Sequence, residues 1–274
     1  MEGNIYHGRV AERFTRRSQK PMGAIPCGFE SHLAHMPKTT LSENGFIWTP
    51  QLAYAVGLLA TDGNLSPDGR HICMRSSDKN LLETYQSVLN LKNKIAQTHN
   101  NGYAKKPSYR IQFSNVRFYN WLTAIGVTPA KTYTIGAIQI PDEFFRDFLR
   151  GHLDGDGSIT TYEDRYNTFK NPKYVYRRFF VRFISASKKH ILWLDERTRT
   201  IIGAQGRIHK TKPADPTRQV NMWVLKFGKK ESVNLLKKLY YDKHVPCLER
   251  KREIAFNMFD SINTNIKYPM RTTS

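Results

Sequence analysis

From residue 46 onward, apolar and polar positions run through the same pattern twice. The first pass opens with Gln51–Thr61, an apolar stretch that predicts a helix stopping at Asp62-Gly63. Alternation then predicts a strand at Ile72–Ser76, a helix at Lys79–Leu91 and a second strand at Tyr109–Phe113. A helix at Val116–Ile125 stops at Gly126. In the second pass a helix is expected at Asp142–Leu153, just before Asp156-Gly157, followed by a long strand at Tyr174–Ser185 and a helix at Lys188–Ile202. Strands near Arg207–Lys210 and Val220–Phe227 follow, and helices at Glu231–Leu239 and Glu249–Phe259 end the pattern. The expected organisation is a poorly structured segment over residues 1–45, a first unit over 46–140 and a second over 141–274. Two like units in one chain imply a pseudo-two-fold body suited to a near-symmetric partner.

The first helix of each unit carries the same framework. Ala55-Val56-Gly57-Leu58-Leu59-Ala60-Thr61-Asp62-Gly63 and Leu149-Arg150-Gly151-His152-Leu153-Asp154-Gly155-Asp156-Gly157 align without gaps. Gly57 and Gly151 have no Cβ, so two helices can approach closely there. Gly63 and Gly157 stand where a left-handed residue would end a helix at least cost. Taken singly, such glycines signal packing, and Asp-Gly-Asp-Gly signals a turn. An EF-hand loop is excluded, because its glycine and glutamate positions hold Ile159 and Arg165. The repeat of the framework is what points to a site.

The second segment resembles the LAGLIDADG motif of homing endonucleases and continues with the common Ser158-Ile159. The first segment is a degenerate copy, with Ala55 for the leading Leu and Ala60 for the earlier acid. The resemblance spans residues 46 to about 260. It implies an α+β fold, a pseudo-two-fold duplication of αββαββα halves with curved antiparallel DNA-binding sheets, joined through the motif helices. It also implies that Asp62 and Asp156 face one another as catalytic metal ligands, with the backbone carbonyls of Thr61 and Gly155 as further ligands. Two carboxylates so close repel unless a divalent cation lies between them, and Mg²⁺ or Mn²⁺ accepts such a donor set. Asp154, which is Ala60 in the first copy, reads as a cap or interface hydrogen bond, and His152 as a packed mid-helix residue.

Charge supports the same partner. The chain carries 43 Lys+Arg against 23 Asp+Glu, a net charge of +20. Residues 1–45 hold only six Lys/Arg and four Asp/Glu, so nearly all the excess lies in the patterned sequence. A basic folded body points to a polyanion. The resemblance implies a lysine beside each acid site: Lys131 in the first unit and Lys251 in the second, with Arg250 as its rival. The resemblance also implies that Ser76 and Ser185 fall roughly where polar residues face the cleavage centre, although serine at a strand end has many other reasons to be there. Strand alternation puts Arg75, Arg110 and Gln112 on the non-core face of the first sheet, and Arg178, Arg182 and Lys226 on that of the second. These residues are candidate readers of double-stranded DNA, or phosphate contacts, or plain solvated positions.

Other classes recede. No apolar run approaches the roughly 18 residues of a membrane span, so no membrane partner is expected. Cys27, Cys73 and Cys247 form no CxxC pair, which speaks for a reducing compartment, whether bacterial cytoplasm or organelle. No intein splice junction is visible, so the expectation is a free-standing, intron-encoded monomer. The open alternative is a relative that keeps the fold but acts on intron RNA as a maturase, or as a DNA-binding regulator. Residues 1–45 read either as a disordered leader or as translation through a neighbouring transfer-RNA gene, which Gly28-Phe29-Glu30-Ser31 resembles, with Met36 as the functional start. On the second reading, deleting residues 1–35 leaves DNA cleavage intact, as a plasmid-nicking assay would register.

Overall fold

The computed structural model describes residues 41–42, 45–98, 107–211 and 221–265. It is a mixed α+β fold with two four-stranded antiparallel sheets. Short strands β1 (Leu41–Ser42) and β2 (Gly45–Phe46) pair ahead of α1 (Pro50–Thr61). Then come β3 (Gly63–Leu65), β4 (His71–Ser76), α2 (Lys79–Val88), β5 (Ala96–Thr98), β6 (Ser108–Ser114) and α3 (Val116–Ala124). The order repeats as α4 (Phe145–Gly155), β7 (Ser158–Asp164), β8 (Tyr176–Ser185), α5 (Lys188–Arg197), β9 (Arg207–Thr211), β10 (Met222–Phe227) and α6 (Lys229–Leu239), with α7 (Glu249–Asn265) appended. Strand order is β3-β4-β6-β5 in one sheet and β7-β8-β10-β9 in the other, the same topology twice. The αββαββα plan that the resemblance implies is the plan observed. Residues 1–40 of the N-terminal segment, including Met36 and Gly28–Ser31, lie outside the described residues, while the end of that segment forms β1 and begins β2.

Local chemistry explains where the helices start. Thr49 accepts a hydrogen bond from the Leu52 N–H at 3.1 Å and Pro50 fills the first turn of α1, where its missing N–H costs nothing. Asn115 caps α3 through Phe118, and Ser187 caps α5 through His190. Two long expected helices are broken instead. Asp142–Phe144 is a 3-10 turn before α4, and Thr198–Ile202 is a π turn that ends at left-handed Gly203, φ 68°. The pattern did not reveal β3, β5 or β7. The first two have three residues each, and β7 carries polar residues on both faces.

The two passes meet along α1 and α4. Residues 52–60 of α1 are buried on every side, as befits a helix inside the body. A Cβ at Gly57 would overlap the Phe148 carbonyl and lie 2.7 Å from the His152 nitrogen. One at Gly151 would overlap the Tyr54 carbonyl and lie 2.9 Å from its carbon. Both helices therefore touch backbone to backbone. Gly63 and Gly157 need a different explanation from the one expected, since neither has a positive φ. A Cβ there would sit 2.7 Å from the Cα of Leu59 or Leu153, on the preceding turn of the same helix. Glycine is required because the chain doubles back tightly against its own helix end.

Burial of polar groups fixes how α4 is held. Arg150, fully buried, donates to Asp147 at 2.7 Å, to the Leu239 carbonyl at 2.9 Å and to the Pro246 carbonyl at 2.8 Å. Tyr241 also donates to Asp147 at 3.0 Å. A buried charge is tolerated when every lobe finds a partner, and here those partners tie α4 to α6 and to the loop before α7. No helix among the described residues is long and apolar enough to cross a membrane. Because the seam has no room for a methyl group, Gly57→Ala or Gly151→Ala is expected to lower unfolding stability by about 3 kcal/mol or more in urea titration, whereas Gly228→Ala, exposed, at φ −72° and with open space around its Cβ position, should cost far less.

Candidate active site

The acid pair follows from the seam. Asp62 caps the end of α1 with φ −89° and ψ −9°, and Asp156 caps α4 with φ −91° and ψ −8°. Each N–H closes the last helical turn, Asp62 on Leu58 and Asp156 on His152. Since the helices cross near their glycines and end together, the two acids arrive at one place. Gly155, next to Asp156, shows how close: a Cβ on it would be 3.2 Å from the Asp62 Oδ2 and 2.8 Å from the Thr61 Cβ. Both acids are half-buried, and Thr61 Oγ1 is turned back to donate to the Leu58 carbonyl at 2.9 Å. Asp62, Asp156, Thr61 and Gly155 are thus brought together by the fold.

The structure places the two lysines at equivalent buried positions beneath this pair. Lys131, 8% exposed, donates to the Gly63 carbonyl. Lys251, 3% exposed, donates to the carbonyls of Leu153, Asp154 and Gly157, the last at 2.8 Å. Gly63 and Gly157 each follow an acid, so each ammonium grips the backbone immediately behind one carboxylate. Carbonyls at a helix C-terminus carry partial negative charge, which favours a cation there. Neither lysine is a solvated surface residue. Arg250, the rival to Lys251, lies exposed and pairs with Asp78 at 2.9 Å, joining the start of α7 to the start of α2.

The remaining polar residues of α4 hold the scaffold. Asp154 accepts from the Tyr54 hydroxyl at 2.9 Å and from the Leu248 N–H at 2.7 Å. Burial raises its pKa, and Lys251 and these hydrogen bonds oppose the rise. The expected interface hydrogen bond is therefore present, across the seam. His152 is buried, with its Nε2 3.0 Å from His190 Nε2, and His190 Nδ1 lies 2.7 Å from the Gly136 carbonyl. The carbonyl requires an N–H on His190 Nδ1, so His190 Nε2 accepts from His152 and His152 Nδ1 is left as a buried nitrogen without a partner.

The candidate contact residues lie on outward faces. In the first sheet Arg75 and Arg110 stand directly opposite one another, while Gln112 opposes Cys73; Ile111 and Phe113 point inward. In the second, Arg182 opposes Lys226 with Phe179, Val181, Phe183, Leu225 and Phe227 on the core side. Arg178 is engaged with Asp164 at 2.8 Å. Arg207, opposite Lys226 on β9, completes a three-strand basic row that the sequence reading passed over. Its signal was there: Arg207 and His209 flank Ile208 with strand parity. Desolvation lowers the Lys226 pKa, with Arg182 and Arg178 adding to it, and the ammonium sits 3.7 Å from the Phe180 ring centre. The first strands of both sheets, β3 and β7, start right after the two acids, so the acid pair lies where the sheets begin.

With this geometry in place, comparison with known proteins adds the fold's relatives. The fold resembles that of the meganuclease I-SmaMI bound to uncleavable DNA, with a TM-score of 0.51 and 11% identity over 79% of this chain and 92% of that one. The LAGLIDADG homing endonuclease I-LtrWI bound to target DNA has a TM-score of 0.49 at 13% identity, over 78% of this chain and 91% of that one. Full-length DUF199/WhiA from Thermatoga maritima has a TM-score of 0.48 at 14% identity; the match covers 83% of this chain but only 65% of that protein. No family model matches the sequence, and no curated protein does.

Among the described residues no group of three or more His, Cys, Asp and Glu side chains gathers. The acid pair fits a hard cation of the magnesium type, which takes one or two carboxylates and completes its shell with water, carbonyl or phosphate oxygens. Burial holds the His190 pKa down at about 4, against an ordinary value of 6.5, and burial together with the neighbouring His190 holds His152 well below that ordinary value. A histidine kept neutral in the fold stabilises fully above pH 6.5, and that contribution is lost as pH falls toward 4. Unfolding titrations should show about 2 kcal/mol less stability at pH 5 than at pH 7.5 from His190 alone, and His190→Gln should flatten that slope.

Proposed function

We propose that this chain is a site-specific double-strand DNA endonuclease of the LAGLIDADG homing type, with residues 46–140 and 141–274 as its two half-site units. One observation carries the reading: two aspartates with the same backbone geometry, one from each pass of the duplicated sequence, meet at the end of a glycine seam where two basic sheets begin. Binding alone asks for the basic faces and has no use for an acid pair in their midst. The likeness in fold to a DNA-bound meganuclease supports the choice of duplex DNA as partner.

The roles divide by position. Asp62 and Asp156, with the Thr61 and Gly155 carbonyls, would hold the Mg²⁺ or Mn²⁺. When bound, the metal supplies Lewis acidity at the scissile phosphate and at the attacking and leaving oxygens. Lys131 and Lys251 act as positioning residues. Each holds the Asp-Gly turn rigid and sets a fixed positive charge under a carboxylate, in a setting dry enough for that charge to count. Arg75, Arg110 and Gln112 contact one half-site, and Arg182 and Lys226 the other. Arg178 reaches DNA only by exchanging its ion pair with Asp164 for a phosphate or base. A monomer spanning a near-palindromic site cuts both strands and leaves staggered ends.

Asp62→Asn and Asp156→Asn test this directly. Each is expected to lower double-strand cleavage on the order of 10³-fold while duplex binding persists, measured on a target selected from a randomised library with Mg²⁺ or Mn²⁺ supplied. Full double-strand cutting by either variant defeats the assignment. Duplex or intron-RNA binding by the unaltered chain with no cleavage under any divalent metal favours the regulator or maturase instead.

A further inference from the structure

Within the repeated order, the two passes differ in the length of the hairpin that follows each acid. In the first, β3 has three residues, β4 has six, and only residues 66–70 connect them. In the second, β7 has seven residues, β8 has ten, and residues 165–175 make the connection. Strands β4 and β8 both end at a serine, Ser76 and Ser185, that precedes the next helix by the same spacing. The added length therefore projects away from the acids. Four extra residues extend the ladder by about 13 Å, which is the rise of about four base pairs.

Beyond Phe179, the last core residue of β8, the ribbon has no backing. The pairs Tyr162↔Arg178, Glu163↔Arg177 and Asp164↔Tyr176 are solvent-accessible on both faces. A two-stranded ribbon in water is marginal by itself, yet this one ends in an ordered tip. Backbone N–H groups of Thr168, Lys170 and Tyr174 bond carbonyls at Arg165, Asn167 and Asn171, and Asp164 accepts from the Tyr166 N–H. The tip carries aromatic side chains that do no packing work for the core: Tyr166 is 82% exposed and Phe169 74%. Exposed aromatics concentrated on one projecting element mark a contact surface.

The charges say what it contacts. The two acids of the ribbon are already engaged, Glu163 with Arg165 and Asp164 with Arg178. Lys170, Lys173 and Arg177 remain exposed, with Lys170 lying over the Phe169 ring. The outward stripe is also continuous. By strand parity Tyr176, Arg178, Phe180 and Arg182 share one face, running from the tip into the basic row of Arg182, Lys226 and Arg207.

We infer that the β7–β8 hairpin is a DNA-gripping arm: its tip engages duplex DNA outside the half-site read by the second sheet. It makes the footprint of this pseudo-symmetric body unequal, longer on the side of the second unit. The inference rests on the reading of the chain as a duplex binder. A two-stranded ribbon matches the width of the major groove, lysines at the tip neutralise phosphates, and the rings lie against the sugar edges.

The test uses the full-length chain and a duplex selected from a randomised library, mapped by hydroxyl-radical footprinting. Wild type is expected to protect about four more base pairs on one side of the centre than on the other. A variant combining Tyr166→Ser, Phe169→Ser, Lys170→Ser and Lys173→Ser changes only exposed side chains, so its melting temperature should match wild type. It is expected to lose the outer protection and to bind about tenfold more weakly, with the deficit vanishing on a duplex trimmed by those pairs. Unchanged protection by the variant, or a deficit that persists on the trimmed duplex, overturns the arm and leaves the acid pair untouched. Failure of the wild-type chain to protect any duplex overturns both readings, and arm-dependent binding of single-stranded RNA instead overturns the arm as stated.

Discussion

Two helices that touch backbone to backbone set the terms for everything else in this protein. At Gly57 and Gly151 the main chains of α1 and α4 meet with no side chain between them, and a carbonyl of each helix occupies the space a methyl group would need. Helices packed through ordinary side chains have axes 8–10 Å apart; direct contact brings them closer and makes their ends converge. The acids stand at those ends. Had the seam been spaced by leucines, Asp62 and Asp156 would stand apart and two carboxylates would not compose one site.

The energetic consequence is a densely polar interior around an apolar seam. Asp154, Lys251, Arg150, Asp147, His152 and His190 are all buried around α4, and each is tied to backbone or to another side chain. A buried charge that loses a partner costs several kcal/mol, so these contacts leave few alternative arrangements. Such restriction would suit the proposed role, in which two carboxylates must be placed relative to a phosphate to within a fraction of an ångström. Lys131 and Lys251 make the point symmetrically, since each reaches a carbonyl one residue past an acid from the segment that follows its own unit's last sheet helix.

Symmetry and its breakdown have separate origins. The repeated strand order and the matched cap angles come from duplicated sequence. Thr61 opposite Gly155, the orphaned His152 nitrogen and the long β7–β8 hairpin have no counterpart across the pseudo-dyad. A single chain can let its two units diverge in this way, whereas identical subunits cannot.

Much of the plan was legible in the residues themselves. The period of the apolar positions located α1, α4 and the paired strands β4, β6, β8 and β10, because helices and strands that bury one face must repeat at 3.6 or 2. The two Gly…Asp-Gly frames marked the seam and the acids, and alternation identified Arg75, Arg110, Gln112, Arg182 and Lys226 as outward. What sequence could not decide was anything depending on contacts between distant segments. That Gly63 and Gly157 are required by crowding from Leu59 and Leu153 and not by a left-handed turn is a matter of path, which composition does not encode. That Lys131 and Lys251 are buried under the acids depends on where a turn after α3 and the first turn of α7, far along the chain from those acids, come to rest. Short β3 and polar β7 were invisible because a strand of three residues, or one wet on both faces, has no periodicity to read; only pairing with β4 and β8 makes them strands. Local pattern determined the elements, and long-range packing decided which polar groups lost water and so which charges came to face one another.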